Sequence, residues 1–301
     1  MDQELIKSRN VARCVSAALA LFNGNIKRIV SALWLPVITL AIVTAANMTI
    51  SFSAERLGGN AVALVYLIPL LFLLAICVYV WMSASFFNLL NTQGLKQNVA
   101  KVSKVVLAYI GFVVAVITIL GVAFTAYHYF AGPVDTQQPG ASFALLSKAL
   151  AVVMILAIIF GILILPFVYS YFAYMLEEGT FRKTFFPSYK VGFRHWGFIF
   201  IVYLVLGLIM FVMSCVLAMP LIILTSAQTL SIRGMAWGDP SGLPSYFPWL
   251  FFVTVTIIYF ILYFLLVWEN LVLYYAYGSI KKNELDRNAK LKEHPMVNTQ
   301  Q

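Results

Sequence analysis

The chain is short of charge. Only 10% of its 301 residues are Asp, Glu, Lys or Arg, against about 25% in soluble domains. Apolar residues make up 62%, more than a soluble core of this length could hide, so lipid must solvate much of the chain. Histidine and cysteine are scarce, at three of each. His128, His195 and His294 are far apart, and none stands at metal-ligand spacing from another His or from Cys14, Cys77 or Cys215. A metal site is therefore not expected, and three scattered cysteines imply no disulfide framework. His128 and His195 sit among aromatics, as interfacial packing residues do. The sequence contains no nucleophile elbow, HExxH, Walker loop or pair of intramembrane carboxylates. The mid-span polar groups are Thr39, Thr44, Asn47, Thr118, Ser214, Thr254 and Thr256. Their expected role is hydrogen bonding between helices. Nothing here calls for a cofactor or for enzymatic chemistry.

What is present is six long apolar runs, at about 29–52, 61–83, 105–130, 149–176, 197–226 and 248–277. Each reaches the roughly 20 residues that cross about 30 Å of hydrocarbon. Because they are continuously apolar and do not alternate, they predict helices and not barrel strands. The expected fold is an all-α polytopic membrane protein: a cytoplasmic amphipathic segment at 1–28, a six-helix membrane domain at 29–277, and a cytoplasmic tail at 278–301. All but three (Arg56, Lys148 and Arg233) of the twenty Lys and Arg fall on one side if the N-terminus is inside. Basic residues are retained on the cytoplasmic side, so both termini are expected there, in a bacterial inner membrane. "CVSAALALF" near the start is short, and Lys27-Arg28 directly precedes the first span. Cleavage as a signal would leave that pair outside, so none is expected. The net charge of +9 follows from the same bias and from attraction to anionic headgroups. With no recognition module, nucleic acid is not an expected partner.

The spans pair into three hairpins. Three exit helices end alike, in "SFFNLLNTQGLKQ" (85–97), "SYFAYMLEEGTFRK" (170–183) and "LYYAYGSIKKNELDR" (273–287), each an aromatic end followed by a glycine (Gly94, Gly179, Gly278) and bases. The entry helices also start alike, from 25, 99 and 192. Segments 5–22, 94–106 and 180–196 carry apolar stripes beside bases, the last broken by Pro187. They predict amphipathic helices in the cytoplasmic headgroup layer, with Phe181 and Trp196 open to lipid; for 94–106 a solvated basic loop fits equally. Pro36, Pro69, Pro166 and Pro220 lie inside spans and predict kinks. Broken helices can present carbonyls to a substrate, as transporters do.

"LFNGNIKRIVSALWL" (21–35), "TFRKTFFPSYKVGFRHWGFIF" (180–200) and the terminal "LVLYYAYGSIKKNELDR" resemble a loose family of bacterial six-span integral membrane proteins of unknown function. That family is related to the membrane domain of some glycerophosphodiester phosphodiesterases. The resemblance implies the fold; the soluble catalytic domain of the phosphodiesterase members has no counterpart here, so no activity and no functional residue carries across. The expected function is a non-enzymatic scaffold or accessory partner of another membrane protein. A small-molecule or lipid transporter with a kinked central cavity is the alternative, and an intramembrane enzyme comes third. Glu269 is the only carboxylate inside a span. Trp249 to Trp268 is about the hydrocarbon thickness, which places Glu269 just past the lipid, ionised and paired with Arg182, Lys183 or Arg194. The rival role is a proton-coupled carboxylate in a transport path. At the opposite side, the turn-rich loop 229–249 offers Arg233, Trp237 and Asp239 as a candidate partner surface.

Overall fold

The computed structural model describes the backbone of residues 5–53, 61–131, 141–238 and 242–293. Side chains are described throughout these, except at 53, 61–64, 123–124, 126–131, 141–153, 155–157 and 292–293. Arg56, Asp239 and His294 therefore lie outside the described residues, as do the side chains of His128 and Lys148. The chain is an all-α polytopic membrane protein. Its helices are α1 (Val11–Gly24), α2 (Ile26–Ser53), α3 (Ala61–Leu90), α4 (Leu95–Ala131), α5 (Ala141–Leu176), α6 (Phe181–Arg194), α7 (Trp196–Ala236) and α8 (Phe247–Glu293). Six of them, α2 to α5 with α7 and α8, are long and apolar enough to cross a membrane.

Four boundaries differ from expectation, each for a local reason. The basic segment 94–106 is no loop; it is the first turns of α4, continuous with the span because no breaker follows Gly94. Pro187 does not break α6, which runs through it. The residue four before it, Lys183, whose carbonyl loses its helical donor, lies on the exposed face. The first half of the expected loop 229–249 is helical: α7 continues to Ala236 and stops at Gly238, whose φ of 89° suits a glycine closing a helix. The Gly238 amide there donates to the Met235 carbonyl at 3.1 Å. Finally, α8 does not end at 277. It runs 47 residues to Glu293, about 70 Å at 1.5 Å per residue.

The chain divides into two compact units, residues 1–99 with 201–301, and residues 100–200. In the first unit α2 packs between α3 and α8, and α1 packs along α8. Asn10 caps α1, its side-chain oxygen accepting from the Arg13 amide at 2.9 Å. Cys14 and Ala18 face inward from α1 and are fully buried. The apolar stripe expected to face lipid is thus at least partly covered by protein. Leu21, Ile29, Phe86, Leu90, Val267 and Leu271 line one small gap where α1, α2, α3 and α8 meet. Farther along, Thr44 and Tyr263 share a hydrogen bond of 2.8 Å between α2 and α8, and Gln228 of α7 donates to the Phe52 carbonyl at 2.8 Å. Of the mid-span hydroxyls, only Thr44 reaches another helix among the described residues. Thr39, Thr118, Thr254 and Thr256 instead bond the carbonyl four residues back in their own helix, the local option a short hydroxyl side chain always has.

In the second unit α6 folds back against α5. Tyr109 and Phe112 of α4 meet Phe167 and Phe160 of α5, ring centroids 5.8 and 5.6 Å apart. Lys101 caps the end of α5, its ammonium donating to the carbonyls of Tyr174 and Glu177 at 3.0 and 3.2 Å. A cation at a helix C-terminus satisfies orphan carbonyls and complements the dipole.

Burial is uneven along all three exit helices. On α3, Val65, Leu70, Phe72 and Leu73 are exposed, whereas Val78, Phe86, Phe87 and Leu90 are buried. On α5, Met154, Ile158 and Ile159 are exposed, and Tyr169, Phe172, Tyr174 and Met175 buried. On α8, Trp249, Val253 and Ile257 are exposed, and nearly every residue from Leu271 to Ile280 is buried. The aromatic helix ends expected as lipid-facing belts are therefore largely core.

Candidate functional site

The most elaborated local chemistry lies where α5, α6 and α7 meet, and it starts from one proline. Pro166 has no N–H, so the Ile162 carbonyl loses its helical donor, and the ring crowds the preceding turn. One side chain closes the gap, and a second bonds the next carbonyl. Trp196 donates its indole N–H to the Ile162 carbonyl at 3.1 Å. Tyr189 donates its hydroxyl to the Leu163 carbonyl at 2.7 Å. Burial pushes the Tyr189 phenol above its ordinary pKa.

The approach depends on Gly192, which is buried in α6 against Pro166. A Cβ there would lie 2.8 Å from the Pro166 carbonyl oxygen and 3.2 Å from the Tyr169 Cβ. Around it, Phe181 and Phe185 stack at 4.7 Å, and Phe185 meets Phe167 edge-on at 4.9 Å. His195 joins α6 to α7 as a single-residue elbow: its amide donates to Val191, and its carbonyl accepts from Ile199, both at 3.2 Å. Asn25 joins α1 to α2 in the same way, bonding Leu21 and Ile29 at 3.1 and 2.9 Å.

With that face turned to α5, the other face of α6 shows Arg182, Lys183, Phe186, Lys190, Phe193 and Arg194, all exposed. Phe186 and Phe193 are 60% and 51% exposed. The aromatics expected to meet lipid, Phe181 and Trp196, are instead half-buried and engaged with protein. Helical phase decides this: positions 181, 185, 189 and 192 share the face that packs on α5.

A second feature ties the N-terminal segment to α8. The Arg9 amide donates to Ser279 Oγ at 2.9 Å, and that hydroxyl donates to the Arg9 carbonyl at 2.9 Å. The Arg9 guanidinium lies over the Tyr275 ring, 4.9 Å from its centroid, and donates to the Leu5 carbonyl at 2.9 Å. Gly278 makes room: a Cβ there would collide with the Leu5 carbonyl oxygen. Nearby, burial pushes the Cys14 thiol up to about 11, against the pull of Arg9, so it is a packing residue and not a nucleophile.

The remaining expected site residues are placed as follows. Glu269 is half-buried on α8, two residues before the buried stretch Leu271–Ile280; within its unit it has no ion-pair partner among the described residues. Arg182, Lys183 and Arg194 belong to the other unit, on α6. Arg233 and Trp237 end α7, and Trp237 is 87% exposed. Sequence reasoning missed Gly192, Tyr189 and Ser279, and read Arg9 only as a base of the headgroup-facing stripe of 5–22, where the structure sets it against Ser279 and Tyr275. The signal available for the first two was the proline itself, since a mid-span proline demands donors from elsewhere.

The fold and these features define a multi-pass integral membrane protein. Among family models, curated proteins and solved structures, none matches this chain.

Proposed function

We propose that the chain is a non-enzymatic scaffold or accessory partner in a bacterial inner membrane, with both termini cytoplasmic. One observation carries this. The Ile162 carbonyl freed at Pro166, which a transporter could turn toward a substrate, is taken by Trp196, and Tyr189 bonds the next carbonyl, Leu163. The freed group is used to hold α6 and the start of α7 in place. The likeness to six-span bacterial membrane proteins belongs to the same proposal. Purification in mild detergent should recover a defined membrane protein together with the chain. Recovery of the chain alone, with substrate-dependent stabilisation, would favour transport instead.

The orientation is tested by cysteine labelling in a background lacking the native three. Cysteines at Thr136 and Ser241 should react with an impermeant thiol reagent in intact cells, and those at Gln97 and Ser188 only after lysis. The opposite pattern would invert the topology.

The transport alternative rests on Glu269, the one carboxylate inside an expected span; beside it, the Trp268 indole N–H is buried without a hydrogen-bond partner. As a structural carboxylate, Glu269 contributes to stability and carries no pH dependence of function. Glu269→Gln should then lower the thermal midpoint in detergent. An unchanged midpoint with loss of pH-dependent transport would establish the proton-coupled role.

A further inference from the structure

We infer that the exposed face of α6 is a docking surface for anionic phospholipid headgroups. This deepens the proposed cytoplasmic placement of the basic end and rests on it.

The face is built for one sign of charge. Between Thr180 and Arg194 there is no Asp or Glu, and Arg182, Lys183 and Lys190 all point away from α5. Phe186 and Phe193, seven residues apart, lie on the same side of the helix and are both more than half exposed. Bases beside exposed aromatics on a helix whose other face is held by protein is the composition that seats at a headgroup boundary.

Position selects lipid over a protein partner. Phe193 precedes by three residues Trp196, where α7 begins as a span. The single-residue elbow at His195 leaves no linker between the face and that span. The indole of Trp196 bonds Ile162 on α5, so the start of α7 and the middle of α5 share a level. Exposed bases are strongly disfavoured in hydrocarbon, which puts the lipid boundary on α5 near Ile162. Ala141 to Ile162 is then about 33 Å of helix, a full crossing. The buried aromatic third of α5 stands beyond the boundary, and α6 lies against it within reach of headgroups.

The test uses the full chain purified in mild detergent, with a bimane fluorophore on Phe186→Cys and the native cysteines changed to Ala. Titration with phosphatidylglycerol should shift the emission to the blue and saturate; phosphatidylcholine should not. Neutralising Arg182, Lys183 and Lys190 together to Gln should raise the phosphatidylglycerol needed on the order of a hundredfold, at about 1 kcal/mol per base. The charge-preserving variant R182K/K183R/K190R should retain the response. All three side chains are exposed, so the thermal midpoint should hold, which separates lost binding from lost folding. Equal shifts with both lipids, or an unchanged requirement in the Gln variant, would overturn the inference. So would a probe shielded in native membranes but indifferent to phosphatidylglycerol, which would assign the face to a protein partner. Because the titration does not depend on topology, its failure would leave the cysteine-labelling result standing.

Discussion

Gly192→Val should destabilise the detergent-solubilised protein by about 2–6 kcal/mol. The estimate adds overpacking, about 1–3 kcal/mol, to about 1–3 kcal/mol for the Ile162 carbonyl left without its donor. A side chain at 192 meets the Pro166 carbonyl at 2.8 Å, and neither backbone can yield without parting α6 from α5. Tyr189 and Trp196 then lose their reach to Leu163 and Ile162 together. Single substitutions apportion the loss. Tyr189→Phe and Trp196→Phe should each cost less than half as much, because the helices stay in register. Gly207→Ala is the matching control: a Cβ there meets nothing within 4 Å, and helix propensity favours Ala by about 1 kcal/mol. Thermal unfolding followed by circular dichroism reads all four. A Gly192→Val protein as stable as the parent would show that the Pro166 contact does not hold α6.

Gly278→Val should release the N-terminal segment. The expected cost is about 2–4 kcal/mol, from two hydrogen bonds at about 1 kcal/mol each and a cation–π contact at about 0.5–2 kcal/mol. Ser279 is 1% exposed, so its hydroxyl would be left in the core without the Arg9 backbone that both donates to it and accepts from it. Trypsin should cut after Lys7 and Arg9 many times faster in the variant than in the parent. Ser279→Ala, which leaves the Leu5 contact free to form, should cost about 1–2 kcal/mol and open the segment less. Equal cleavage of Gly278→Val and parent would mean that residues 5–9 do not depend on this contact.

These two glycines mark how far the sequence could be read. Gly94, Gly179 and Gly278 look alike there, each following an aromatic helix end. In the structure a Cβ at Gly94 would touch nothing, at Gly179 it would meet Thr184, and at Gly278 it would strike Leu5. A glycine in a sequence records only a missing side chain; what fills the space comes from another segment. Gly192 was not legible at all, because its reason is a proline 26 positions earlier in the chain. The amphipathic character of 5–22 and 180–196 was legible, since stripe and bases repeat at helical spacing. Which stripe meets protein was not.

The sequence by itself determined the solvent, the helical class and the six spans. Hydrocarbon offers no partner to backbone N–H and C=O groups, so long apolar runs must bond within themselves. That demand is local and can be read from any one segment. The tertiary structure alone decided that the aromatic helix ends are core and that the Ile162 carbonyl freed by Pro166 is closed by Trp196, with Tyr189 on Leu163 beside it. It also decided that Phe186 and Phe193, and not Phe181 and Trp196, face outward. Each of these depends on which helix lies alongside, and among membrane helices no difference in hydrophobicity announces that choice: lipid and protein are equally apolar, and only close packing and a few hydrogen bonds tell them apart.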